Sequence, residues 1–117
     1  MIRVLVTVTP QMYRQAIALS LHRQRPDLDV RIAPPEATER ELAGFRPHLL
    51  VHNDNDGLGP EAVADIPCRV EVLYSDGMDA RISADGEVST ARDMSTEDLL
   101  RVVDKAIASA DRETGQS

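Results

Sequence analysis

Aromatic residues make up only 3% of this 117-residue chain, which has no tryptophan and a single phenylalanine. Stacking of bases on aromatic rings is the sequence-tolerant way to hold single-stranded nucleic acid, and that platform lacks its material here. Cysteine is nearly absent as well. Cys68 stands alone, which excludes an internal disulfide and a multi-cysteine zinc site, and His22, His48 and His52 show no metal-ligand spacing with it. Cys68 is therefore expected in the interior, as a small apolar side chain beside a strand. No apolar run approaches the ~20 residues of a membrane-spanning helix. Positive charge is in the minority, with 13 basic residues against 20 acidic ones and a net charge of −7. That balance disfavours a broad nucleic-acid or anionic-membrane surface. All but one of the bases are arginine, a bias that fits a GC-rich genome better than a binding role. Met1-Ile2-Arg3 passes directly into a strand pattern and not into the segments of a secretory leader, so the expected compartment is the cytoplasm. No metal and no cofactor are expected.

What is present is a globular composition, 42% apolar, with room for one core and not for two. One domain is expected over residues 1–110, followed by a frayed tail at 111–117. Residues 4–8 (Val-Leu-Val-Thr-Val) form a nearly continuous apolar, β-branched run, the mark of a strand covered on both faces. Thr9-Pro10 opens a helix whose buried stripe is predicted to be Tyr13, Ala16, Ile17, Ser20 and Leu21. Leu28, Val30 and Ile32 alternate with Asp29 and Arg31, which predicts a strand nearer a sheet edge. A short helix is expected over 37–45, and a central strand around Leu49-Leu50-Val51. A polar turn-forming loop follows from His52 to Gly57. One or two helical turns are expected at 60–65, and a fourth strand at 70–74. Asp76-Gly77 and Asp85-Gly86 are hairpin dipeptides, so a hairpin or meander is expected between Ser75 and Arg92. Ser95 caps the longest helix, with an apolar stripe of Leu99, Val102, Val103, Ala106 and Ala110.

Alternating strands and helices, with the most apolar strands first and third, predict an α/β fold. The expected sheet is mostly parallel, five-stranded and ordered 2-1-3-4-5, with helices on both faces. In this order the chain resembles the receiver domain of bacterial two-component response regulators, over roughly residues 2–110. Val4-Leu5-Val6-Thr7-Val8-Thr9-Pro10 stands where that family has an apolar strand, two acids and often a proline. Arg46-Pro47-His48-Leu49-Leu50-Val51-His52-Asn53 resembles its strand ending in the phosphoryl-accepting Asp. Leu73-Tyr74-Ser75 matches its fourth strand, and Arg92-Asp93-Met94-Ser95-Thr96-Glu97-Asp98-Leu99 its Lys-Pro-Phe segment and acidic helix start. The resemblance implies a flavodoxin-like sheet, with the fourth helix shortened or replaced by a hairpin.

Receiver chemistry moves a phosphoryl group onto a carboxylate while Mg²⁺ is held by that carboxylate and two further acids. By the resemblance, the acid pair falls on Thr7 and Val8, the acceptor on Asn53 and the lysine on Arg92. Only Ser75 keeps its type. Mg²⁺ wants hard oxygen ligands anchored by carboxylates, and an amide is no comparable nucleophile, so phosphotransfer is not expected. Thr9, Asp54 and Asp56 are additional candidate pocket residues, although the Asn53-Asp54-Asn55-Asp56 run also suits a solvated turn. The expected function is that of a phosphorylation-independent pseudo-receiver, not an enzyme, docking a protein partner or a second copy through residues 78–107. Met78, Ile82 or Met94 would then be exposed there. The alternative is a small-molecule (anion or nucleotide) binding protein or enzyme on a flavodoxin-like sheet. Thr7, Thr9, Asn53, Asp54, Ser75 and Arg92 would then converge at the carboxyl ends of the strands. A nucleic-acid partner and a membrane are not expected.

Overall fold

The computed structural model describes residues 2–54, 57–59, 61–73, 79–84 and 86–115, with only the backbone described at 111–115. The fold is α/β. In chain order it comprises β1 (Arg3–Val6), α1 (Gln11–Gln24), β2 (Asp29–Ile32), a 3-10 turn (Pro35–Ala37) and α2 (Thr38–Phe45). These are followed by β3 (Leu49–Asn53), β4 (Cys68–Val72), β5 (Ala80–Ala84), β6 (Glu87–Ala91) and α3 (Thr96–Gly115). One six-stranded sheet runs β2-β1-β3-β4-β5-β6. It is mixed: β1 pairs parallel with β2 and β3, and β3 with β4, whereas β4–β5 and β5–β6 are antiparallel. The expected count of five strands is corrected to six. Ala80–Ala84 forms a strand of its own, in which Ala80, Ile82 and Ala84 alternate inward. Its small alanines leave little periodic signal, although they fit beneath α3.

The side-chain period of two assigns the two faces of the sheet. Val4, Val6, Val8, Leu49, Val51, Cys68, Val70 and Ile82 pack beneath α1 and α3, where Leu21, Leu99, Val102, Val103 and Ala106 meet them. Leu5 and Leu50 point the other way, towards Ala33, Ala37, Phe45 and Val63 around α2. β3 is buried at all five positions, as expected of a continuous apolar run in a central strand. β2 lies at the edge and is mostly exposed. Cys68 is buried as the first residue of β4.

The stripe expected along α1 is met in its second half and not in its first. Leu21 is buried and Ile17 and Ser20 are half-buried as expected, whereas Tyr13 and Ala16 are exposed and the largely enclosed Arg14 takes the inward place near the start of the helix. Arg14 Nη1 donates to the Ala33 carbonyl at 3.0 Å, and this bond brings a cation inward. Ile17 and Ala18 are half-buried beside it, while Met12 and Leu19 face outward. Residues 61–65 form turns and no helix. The expected hairpin is present as β5–β6, with Ala84 opposite Glu87 and Gly86 at φ +85°, a conformation glycine takes without a Cβ penalty. Asp76-Gly77 lies outside the described residues. α3 continues to Gly115, beyond position 111 where the sequence suggested fraying.

Ser95 and Asp98 close the start of α3 reciprocally. Asp98 N–H donates to Ser95 Oγ at 3.2 Å, and Ser95 N–H donates to Asp98 Oδ2 at 3.1 Å. The Ser95 backbone N–H, followed by its hydroxyl, holds the Asp98 carboxyl below its ordinary range. Ser95→Ala is expected to lower Tm by a few degrees at neutral pH, as measured by circular dichroism. A lowered folded pKa contributes stability above the unfolded value of 3.8 and loses it as pH falls through the folded value. The Tm gap between wild type and variant should therefore narrow in acid below that value.

Candidate functional site

The carboxyl ends of β1 and β3 are tied together by one amide. Asn53 Oδ1 accepts from the Thr9 backbone N–H at 2.7 Å and from Thr9 Oγ1 at 3.1 Å. Asn53 Nδ2 donates to the Val72 carbonyl at 3.4 Å, and the Asp54 N–H reaches that same carbonyl at 3.1 Å. One side chain thus joins the loop after β1 to β3 and β4. It is 3% exposed, so this amide fills the crevice and does not line an open pocket.

Thr7 and Val8 are both buried but point to opposite sides. Val8 joins the apolar cluster under α1 and α3, and Thr7 follows the alternation of Leu5 on the α2 side. Thr7 N–H continues the ladder to the Val51 carbonyl at 2.8 Å, while Thr7 Oγ1 has no hydrogen-bond partner among the described residues. Two side chains directed to opposite faces cannot converge on one ion, and neither is a carboxylate. The Mg²⁺ that the receiver resemblance implies does not fit these residues. Among the described residues no group of three or more His, Cys, Asp or Glu is placed to hold a metal.

Arg92 is brought to the same end of the sheet, but not to Asn53. The registers place Asn53, Val72, Ala80 and Ala91 in one row across β3, β4, β5 and β6. Three inter-strand spacings separate Asn53 from Ala91, about 14 Å. Five strands in the expected order would have put Arg92 after a neighbour of β4; β5 stands between and moves it outward. Arg92 is exposed, and the turn that carries it is pinned by Asp93 N–H donating to Asp79 Oδ1 at 2.8 Å. Thr9 is half-buried against Asn53, and Asp54 is exposed one residue past the strand. Ser75 and Asp56 lie outside the described residues.

Ile82 and Met94, offered by the sequence as partner-facing residues, belong to the core. Met78 lies outside the described residues. Among the described residues of this half of the molecule the large exposed apolar side chain is Val88 on β6, 64% exposed, on a strand that is mostly exposed. No simple pattern in the sequence distinguishes it from a buried strand valine.

A second concave feature lies at the opposite, amino end of the strands. It is a cleft of about 790 Å³ between α2 and residues 59–67, lined by Arg3, Arg46 and His48 together with Glu39, Glu61 and Asp65 over an apolar base. Sequence reasoning missed it, because its residues come from three separated stretches of the chain and form no local motif.

Fold and site together define a mixed-sheet α/β domain whose carboxyl-end crevice is closed by an asparagine. Compared with protein-family models, curated proteins and solved structures, the chain has no significant match in any of the three. No helix among the described residues is long and apolar enough to cross a membrane.

Proposed function

We propose that this chain is a phosphorylation-independent pseudo-receiver on a flavodoxin-like sheet, acting in the cytoplasm as a protein-interaction module in signalling. The observation that carries this reading is the Asn53 amide. It spends its oxygen on Thr9 and its nitrogen on the Val72 carbonyl, at the position the resemblance assigns to a reactive carboxylate. Thr7 and Val8 support it by facing away from each other without a charge between them. The scaffold keeps its crossovers on the β1–β4 side, and the chemistry has been replaced by packing.

The docking surface falls within residues 78–107. β6 is an edge strand with four of its five residues exposed, among them Val88 and Thr90, which stand opposite Ser83 and Arg81 of β5. Either a partner protein or a second copy fits such a surface. The reading is tested by adding beryllofluoride and Mg²⁺ to the isotope-labelled chain. No amide resonance at Thr7, Val8, Thr9 or Asn53 is expected to move. Saturable shifts at those positions would overturn the reading.

A small-molecule binding protein or enzyme is the second reading. The cleft at the amino ends of the strands favours it; the filled crevice at the carboxyl ends does not.

A further inference from the structure

The amino-end cleft combines charges of both signs that do not meet. Arg3 comes from the start of β1, His48 from the residue before β3, and Arg46 from the C-cap of α2. The Arg3 side chain is held against the backbone of residue 46, and the His48 ring against the Arg3 backbone. Arg3 Nε donates to the Arg46 carbonyl at 3.0 Å, and the Arg3 backbone N–H donates to His48 Nδ1 at 3.0 Å. Glu39 lies along α2, while Glu61 and Asp65 lie in the turns on the other flank. Among the described residues, none of Arg3, Arg46, Glu39, Glu61 and Asp65 forms an ion pair. Elsewhere on this surface opposite charges close to about 3 Å, as Arg31 of β2 and Glu41 of α2 do at 3.0 Å.

Arg46 adds an independent observation. It adopts φ 53° and ψ 65°, a left-handed conformation at the end of α2 where glycine is the unstrained choice. A non-glycine residue held in this region marks a position where the side chain matters more than local ease. Here the side chain is a guanidinium at the rim of the cleft.

We propose that this cleft binds a small zwitterion of the basic amino-acid class, with its carboxylate on Arg46 and Arg3 and its cationic end on Glu39, Glu61 and Asp65. A guanidinium fork matches a carboxylate in two parallel hydrogen bonds, and carboxylates take an ammonium or guanidinium in the same charge-assisted way. Three acids against two arginines favour a ligand with one net positive charge. The step of seven positions from Glu39 to Arg46 along α2 spans about 10 Å, the length scale of an extended lysine or arginine with its side chain. The apolar base of Leu42 and Ile66 suits the methylene stem. This site is distant from Asn53 and does not depend on the interaction-module reading.

The test is a titration of the labelled full chain with L-arginine or L-lysine, followed through amide resonances. Saturable shifts confined to residues such as Arg46, His48, Ala62 and Ile66 are expected. Arg46→Gly removes the guanidinium while glycine accepts φ 53°, so its Tm should equal or exceed wild type. Its affinity should fall about tenfold or more, the scale of one lost charge-assisted hydrogen bond. Glu61→Gln should weaken binding in the same direction. Acetate and butylamine, each carrying one charge, should not reproduce the shifts at equal concentration. The proposal is overturned by an unresponsive wild type, by single-charge compounds acting equally well, or by Arg46→Gly binding as tightly as wild type.

Discussion

Leu50→Ala is expected to lower the unfolding free energy by about 2–5 kcal/mol, the range for emptying a fully enclosed leucine site. Leu50 has no exposed surface and sits in the middle of β3, with β1 on one side and β4 on the other. Its side chain is on the α2 face with Leu5, Ala33, Ala37, Phe45 and Val63. That cluster is much smaller than the one under α1 and α3, so few neighbours can shift to refill the space. Domains of this size hold only about 5–15 kcal/mol in total, so a loss at the upper end would unfold much of the population. The measurement is the urea midpoint, with an unchanged slope showing that stability and not compactness has moved. Val88→Ala is the matched control: at 64% exposure it should change stability by no more than about 0.5 kcal/mol.

Asn53→Asp is expected to destabilise the domain by about 1–3 kcal/mol and to leave it inert towards acetyl phosphate. The new carboxylate keeps an oxygen for the Thr9 N–H and hydroxyl, but its second oxygen would face the Val72 carbonyl in place of a donor. Two acceptors then oppose each other at a site 3% exposed, where an unpaired charge is costly. The nominal acceptor would be restored without a metal seat, because Thr7 and Val8 remain neutral and point to opposite faces. Intact-mass spectrometry after incubation with acetyl phosphate and Mg²⁺ should show no phosphoryl adduct. An adduct on residue 53 would mean that a cation can be held there by other groups.

The parallel half of the sheet was readable because burial on both faces leaves a continuous apolar run, as in residues 4–8 and Leu49-Leu50-Val51. The alternation of β2 correctly marked an edge, and Asp85-Gly86 marked a hairpin. The phase of α1 was readable in part: Ile17, Ser20 and Leu21 turn inward as their spacing suggests, whereas Tyr13 and Ala16 do not. Near the start of the helix the inward place goes to Arg14, which reaches the Ala33 carbonyl, a contact with a distant segment that no local pattern reveals. Likewise, the absence of carboxylates at Thr7 and Val8 was plain from residue identity. That Asn53 closes the crevice depends on the Thr9 backbone, which only the folded chain brings near. The amino-end cleft had no sequence signature at all, since its charges are spread from residue 3 to residue 65 and read locally as ordinary solvated positions.

The order of strands divides the chain into two kinetic regimes. β4, β5 and β6 zip together as antiparallel neighbours within residues 68–91, so their contacts close over short loops. β1 must wait for β3, more than forty positions downstream, before its inner edge is satisfied. The meander is therefore expected to form early in the search, and assembly of the β1–β3 seam, with the Thr9–Asn53 lock, to be the slower step on the way to the native state.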